Sequence, residues 1–182
     1  MYLIADEDDA AAVRRCLDGQ TEAFEELVER YERVLFRVAL RMLGNTEDAQ
    51  DATQTAFTKA FEQLHRFDPS FRFFSWIYRI LSNECLNQRR SWRPQIAMTV
   101  DLVAPGGPFE ELEADERRRR VQAALLELSP AYREVLVLRH FADLSYDEMA
   151  ATLDIPVKTV KSRLHSARRQ LGERLFGWEE QK

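Results

Sequence analysis

Ser145-Tyr146-Asp147-Glu148-Met149-Ala150-Ala151-Thr152-Leu153-Asp154-Ile155-Pro156-Val157-Lys158-Thr159-Val160-Lys161-Ser162-Arg163-Leu164 reads as two helices joined by a tight turn. Ser145 and Glu148 stand three apart, the spacing of a capping box. They open a short helix that runs to about Leu153. Asp154-Ile155-Pro156 supplies the turn. Val157, Val160, Leu164, Ala167 and Leu171 then recur in steps of three and four, one apolar stripe on a second helix. Lys158, Ser162, His165 and Arg169 lie opposite that stripe, flanked by Lys161 and Arg168. A short helix, a tight turn and a second helix with hydrogen-bonding residues outward is a helix-turn-helix. Outward residues early in such a helix can reach base edges in the major groove. Basic residues later in it bind phosphates and fix register.

Upstream, Ser129-Pro130 is a helix start, a capping serine with proline at the first helical position. Val121, Ala124, Leu125 and Leu128 give the stripe of the helix before it. Between Arg93 and Phe109 the helical period is lost, and Pro94, Pro105, Gly106, Gly107 and Pro108 punctuate the chain. This stretch reads as a flexible linker. Its sixteen or so residues span roughly 50 Å when extended.

The N-terminal half is also helical by period. Asp8 to Asp18 forms a short helix that Gly19 can end. Thr21 can cap the next one, whose apolar set is Phe24, Leu27, Val28, Tyr31, Leu35, Val38 and Met42. Gly44 closes it, and Asn45 or Thr46 starts a third helix. Asp68-Pro69 breaks the pattern, and a fourth helix runs from about Phe73 to Ser91. The expected fold is therefore all-α, two small helical domains with a helix-turn-helix in the second. The boundaries are 1–93 for the first domain, 94–112 for an acidic Pro/Gly linker and 113–182 for the second.

The 182 residues carry a formal net charge of −5, but the charge is segregated. Residues 1–93 have a net of −3, residues 94–116 of −6 and residues 117–182 of +4. The local basic patch is the footprint expected where phosphates are met. The acidic whole should bind duplex DNA poorly by itself. Phe71, Phe73, Phe74, Trp76 and Tyr78 crowd one stretch beside Arg72 and Arg79. Unpaired bases stack on such rings, although a domain this small needs most of them as core. One or two are expected to face DNA.

Several function classes fall away. No run approaches the ~18 apolar residues of a membrane span. Met1-Tyr2-Leu3-Ile4 leads at once into acidic residues rather than into a secretory signal, so a cytoplasmic location without direct membrane insertion is expected. Cys16 and Cys85 lie in helical patterns, which excludes a disulfide framework. His65, His140 and His165 have no metal-ligand spacing with them, and His65 and His140 read as half-buried. No phosphate-cradling glycine loop or nucleophile elbow occurs. Neither enzymatic activity, a metal nor a cofactor is expected.

Two blocks resemble a bacterial family. Asp48-Ala49-Gln50-Asp51-Ala52-Thr53-Gln54-Thr55-Ala56-Phe57, continuing through Phe67-Asp68-Pro69-Ser70 to Trp76-Ile77-Tyr78-Arg79-Ile80 and Asn83, is the first. Leu128-Ser129-Pro130-Ala131-Tyr132-Arg133-Glu134-Val135, with the helix-turn-helix itself, is the second. Together they resemble sigma factors of the extracytoplasmic-function type, two-domain relatives of sigma-70. The resemblance implies a promoter-specificity subunit that directs core RNA polymerase to promoter DNA and initiates transcription. It implies that the helix with Asp48, Asp51, Gln54 and Phe57 docks on polymerase. Thr55 stands where the pattern usually has an acid. It also implies that Ser70, Phe71, Arg72, Trp76, Arg79, Asn83 and Asn87 serve the minus-ten element and its melting. Lys158, Lys161, Ser162, Arg163, His165, Arg168 and Arg169 serve the minus-thirty-five element, and an anti-sigma factor is an expected partner. The rival reading is a free-standing helix-turn-helix regulator that binds an operator without polymerase.

Overall fold

The computed structural model describes residues 6–69, 71–91 and 108–177. Its helices are α1 (Asp6–Leu17), α2 (Ala23–Leu43), α3 (Thr46–Glu62), α4 (Phe73–Ser91), α5 (Pro108–Glu127), α6 (Pro130–Phe141), α7 (Tyr146–Leu153) and α8 (Val157–Gly177). A 3-10 turn covers Leu64–Arg66. No strand occurs among the described residues. The chain is thus all-α, with one helical domain built on α1–α4 and a second on α5–α8. Residues 94–107 of the expected linker lie outside the described residues. α5 begins at Pro108, since proline is accommodated at a first helical position.

Local chemistry sets most of the helix ends. Gly19 and Gly44 adopt φ of 98° and 82°, the left-handed region that glycine enters without penalty. The Gly44 amide closes α2 on the Leu40 carbonyl. Asn45 caps α3, its side chain accepting from the Asp48 amide at 3.1 Å. Thr21 does not cap α2. The residue before that helix is Glu22 in a helical conformation, with no side-chain cap. Backbone turn bonds from Ala23 to Gln20 and from Phe24 to Thr21 start the coil instead.

α2 is the central element. It touches α1, α3, α4, α5 and α6, so its burial is wider than one stripe. Val34, Ala39, Leu40 and Leu43 are buried in addition to Phe24, Leu27, Tyr31, Leu35, Val38 and Met42. Phe73 and Tyr31 meet with ring centroids 5.7 Å apart, and Phe67 meets Phe73 at 5.6 Å. Asp9, itself buried, accepts from the Tyr31 hydroxyl at 2.5 Å and pairs with Arg30, which ties α1 to α2.

The two domains do not stand apart. The buried residues of both halves join in one apolar cluster. Arg133 of α6 is 0% exposed. It donates to the carbonyls of Leu125 at 2.7 Å, Leu126 at 2.5 Å, Leu128 at 2.9 Å and Met42 at 2.9 Å. These acceptors lie at the C-terminal ends of α5 and α2, where carbonyls lack helical partners and the helix dipole is negative. One guanidinium thus joins both domains without a carboxylate. Arg41 and Gln122 add a reciprocal pair, side chain to side chain at 2.8 Å and Gln122 amide to Arg41 carbonyl at 3.3 Å. Burial, and then Arg118 nearby, pushes the Arg41 guanidinium below its ordinary value.

Candidate nucleic-acid and polymerase interfaces

The helix-turn-helix forms from its sequence signals. Both halves of the capping box are present: the Ser145 amide donates to Glu148 Oε2 at 2.8 Å, and the Glu148 amide to Ser145 Oγ at 3.3 Å. Asp154 takes φ of 53° at the end of α7, and its amide returns to the Ala150 carbonyl. Asp tolerates this left-handed position better than most residues. Val160, Leu164 and Ala167 of α8 are buried, together with Met149 and Thr152 of α7. Lys158, Lys161, Ser162, His165, Arg168 and Arg169 are exposed, and Arg163 is half-exposed. All seven lie on α8 between its first and fourth turns.

Contacts around this face are weak. The Lys161 ammonium lies 5.7 Å from the Tyr146 ring centroid. Arg169 and Glu173 stand 3.7 Å apart, both exposed, and such pairs contribute little. Ser162 Oγ donates to the Thr159 carbonyl at 3.0 Å. His140 on α6 is held below its ordinary value by burial and then by Arg168 and Arg139. His65 and His140 are both exposed rather than half-buried. His65 sits in the 3-10 turn, where Leu64 alone is buried, and His140 in the last turn of α6.

The α4 surface is different. Phe73, Phe74 and Tyr78 are core. Phe71 is 58% exposed, and Trp76 is half-buried with its ring 5.4 Å from Phe67 and 5.6 Å from Phe73. Asn83 and Asn87 are exposed. Ser70 lies outside the described residues. Arg72 forms an ion pair with Glu148 at 2.5 Å. Arg79 donates to the carbonyls of Thr152 at 3.2 Å and Ala151 at 3.1 Å, in the last turn of α7. Ser75 and Thr152 hydroxyls meet at 2.8 Å in a buried contact. Glu134 of α6 accepts from Tyr78 at 2.8 Å and from Ser82 at 3.1 Å. Burial first, and then Glu134, holds the Tyr78 phenol well above its ordinary value. For Glu148 burial opposes ionisation, but Ser145 and Arg72 together outweigh it and hold the carboxyl below the usual range.

A groove with a volume of about 650 Å³ runs between α2 and α3. Val28, Glu32, Arg33 and Phe36 line it from α2, and Gln50, Thr53, Gln54, Phe57 and Thr58 from α3. These positions recur at intervals of three and four, so each set follows one helix face. Gln54 and Phe57 thus border a shared depression, whereas Asp48 and Asp51 lie upstream on α3 and outside its lining. Phe36 escaped the sequence reading. Its signal was the eight-residue spacing from Val28, which sets two apolar residues on one face beside the main stripe. No cluster of possible metal ligands occurs among the described residues. Cys16 and Cys85 are buried free thiols, and burial pushes Cys85 up to about 12. No helix among the described residues is long and apolar enough to cross a membrane.

Comparison with known proteins agrees across both halves. The family model of sigma-70 region 2 matches residues 27–93, and that of sigma-70 region 4 matches residues 118–171. The ECF RNA polymerase sigma factor SigW of Bacillus subtilis is 30% identical over 90% of this chain and 94% of its own length. The ECF RNA polymerase sigma-E factor of Escherichia coli K12 is 31% identical, over 92% and 94% respectively. Among solved structures, CnrH in complex with the cytosolic domain of CnrY is similar with a TM-score of 0.74. It is 27% identical, covering 93% of this chain and 98% of that one. The chain belongs to the extracytoplasmic-function sigma factors of the sigma-70 family. It is therefore a transcription initiation factor, and the rival reading as a free-standing regulator is not favoured.

Proposed function

We propose that this chain, acting in the cytoplasm and without catalysis of its own, divides its work among three surfaces. Residues 1–93 form the region that meets core RNA polymerase and the minus-ten element. Residues 94–112 connect it to residues 113–182, which read the minus-thirty-five element. Lys158, Lys161, Ser162, Arg163, His165, Arg168 and Arg169 face the major groove. Phe71, Arg72, Trp76, Arg79, Asn83 and Asn87, together with Ser70, serve the minus-ten element. Asp48, Asp51, Gln54 and Phe57 serve polymerase, with the α2–α3 groove as the seat for an apolar ridge of the partner.

The observation that carries this reading is the exposed basic and hydrogen-bonding row on α8, held outward by a fully formed capping box and an apolar inner stripe. Phosphate contacts from such a row give affinity, and base-edge contacts give sequence preference. An anti-sigma protein is part of the proposal. CnrH is in complex with the cytosolic domain of CnrY, and a bound protein partner fits this chain likewise. The test is a pull-down and run-off transcription assay with bacterial core polymerase on a pool of promoter fragments. Transcripts that require the chain support the proposal and define its two DNA motifs. DNA selected by the chain alone, with no capture by core, would overturn it.

A further inference from the structure

The end of α6 reaches the side of the helix-turn-helix on which the exposed row of α8 lies. The Arg139 guanidinium is 5.6 Å from the Tyr146 ring centroid, and the Lys161 ammonium of α8 is 5.7 Å from the same ring. One ring of α7 thus meets a cation from α6 and a cation from α8. His140, next to Arg139, is exposed in the last turn of α6. Its imidazole feels the charge of Arg168, an exposed member of the α8 row. We propose that His140 is a further contact of the minus-thirty-five surface, gripping a DNA phosphate beside Arg168 as the imidazolium and so taking up a proton when the promoter binds. This inference rests on the proposed role of α8.

The groups around the ring set the direction. In the free chain, burial first and then Arg168 and Arg139 hold His140 below its ordinary value. The acids of the neighbouring elements do not offset the two arginines. Glu134 of α6 accepts from Tyr78 and Ser82, Glu148 of α7 from Ser145 and Arg72, and Glu173 of α8 stands by Arg169. Asp143 in the turn and Asp147 on α7 are exposed. α2 presents another cation, Arg41, over the Phe141 ring. A phosphate bound beside Arg168 reverses the balance, because it cancels the repulsion between the two cations and attracts the charged ring. By linkage, a proton held more tightly in the complex strengthens binding as pH falls. The gain begins at the higher value of the complex and is complete below the lower value of the free chain. The neutral ring still donates one hydrogen bond, so at higher pH the contact weakens without vanishing.

The test uses holoenzyme assembled from the full chain and core polymerase, with a promoter fragment recovered from the run-off pool. Affinity is measured from about pH 8 to about pH 6 at several salt concentrations. Over this range the natural chain is expected to gain about threefold more affinity than His140→Gln, within the roughly tenfold per pH unit that one proton allows. Its salt dependence is expected to steepen by about one ion on acidification, and that of His140→Gln to stay level. Core polymerase, His65 and His165 are common to both and cancel in the comparison. His140→Arg carries the charge at every pH and is expected to keep the steeper salt dependence throughout. A merely structural histidine would change affinity equally at all pH values. Coincident pH profiles and salt slopes for the natural chain and His140→Gln, while Arg168→Ala still weakens binding, would overturn His140 alone. Promoter binding left intact by both Arg168→Ala and Lys161→Ala would overturn the DNA-facing role of α8, and His140 with it.

Discussion

α8 carries basic residues along its outer face and α4 has Arg72 at its start and Arg79 within it, yet the two sets live in opposite environments. On α8 the basic residues from Lys158 to Arg169 project outward, with an exposed acid, an aromatic ring and His140 near them. At α4 two arginines are bound to α7, Arg72 just before the helix and Arg79 within it, and Ser75 between them is buried. Charge pattern alone therefore does not tell a ready surface from an occupied one. The difference arises because α6 carries the helix-turn-helix onto α2 and α4 through a shared apolar core. α8 lies on the outer side of that assembly and α7 on the inner side.

The contrast breaks most completely if the joint between the domains is removed. Arg133→Ala removes a donor from four carbonyls, of which Leu125 keeps the Leu128 amide. It is expected to cost about 3 kcal/mol or more, since a hydrogen bond to a charged group contributes ~1.5–3 kcal/mol. Arg133→Lys should recover only part of this, because an ammonium cannot reproduce the planar fork. Urea denaturation followed by circular dichroism measures both. A loss below ~1 kcal/mol would show that the shared core does not depend on this joint.

Gly44→Ala tests the same seam with a smaller change. The position has φ of 82°, and an added Cβ would meet Leu126 Cδ1 at 2.5 Å. The side-chain end can move, so backbone strain dominates, at about 1–2 kcal/mol. Combining it with Leu126→Ala should not restore stability. Full rescue by that second change would mean that the close approach, rather than the left-handed backbone, requires glycine.

Acid should weaken the covered face before the open one. The Glu148 carboxyl is depressed in the folded chain, so its contribution is complete above the ordinary carboxylate range. It is lost as pH falls through that range and below the depressed value. Part of the effect belongs to Ser145 and persists without Arg72. Denaturation midpoints taken from neutral pH downward should fall less steeply in Glu148→Gln than in the natural chain, a difference of about 1 kcal/mol or less. Identical slopes would remove Glu148 from the acid response.

The smallest effects are expected on α8. Lys158→Ala and Lys161→Ala should leave stability within ~0.5 kcal/mol, and each should lower the salt dependence of holoenzyme binding to promoter by about one ion. Ser162→Ala or His165→Ala should instead change the preferred base at a position of the minus-thirty-five element. A uniform loss across sequences in all four variants would assign the whole row to phosphate.

The sequence was enough wherever the deciding partners lie within a few residues of one another. The capping box, the turn at Asp154, the glycine at position 44, the Asn45 cap and the apolar stripe of α8 all follow from spacings of three or four, and helix geometry makes such neighbours meet. Thr21 shows the limit even there, since backbone turn bonds took the place of its cap. In the aromatic crowd at residues 71–78 Phe73, Phe74 and Tyr78 are core while Phe71 and Trp76 stay partly outside, and the buried surface of α2 is wider than its sequence stripe. Its second face is buried by helices some 80 residues away.

Only the tertiary structure decided which arginine is buried, which is covered and which is open. Arg133, Arg79 and Arg163 look alike in a sequence. Arg133 and Arg79 bind backbone carbonyls, and a carbonyl is carried by every residue and so leaves no mark in the residue pattern. The pairings of Arg72 with Glu148 and of Ser75 with Thr152 join positions more than 70 apart. Nothing local selects them, and they exist because the shared core brings α7 onto α4.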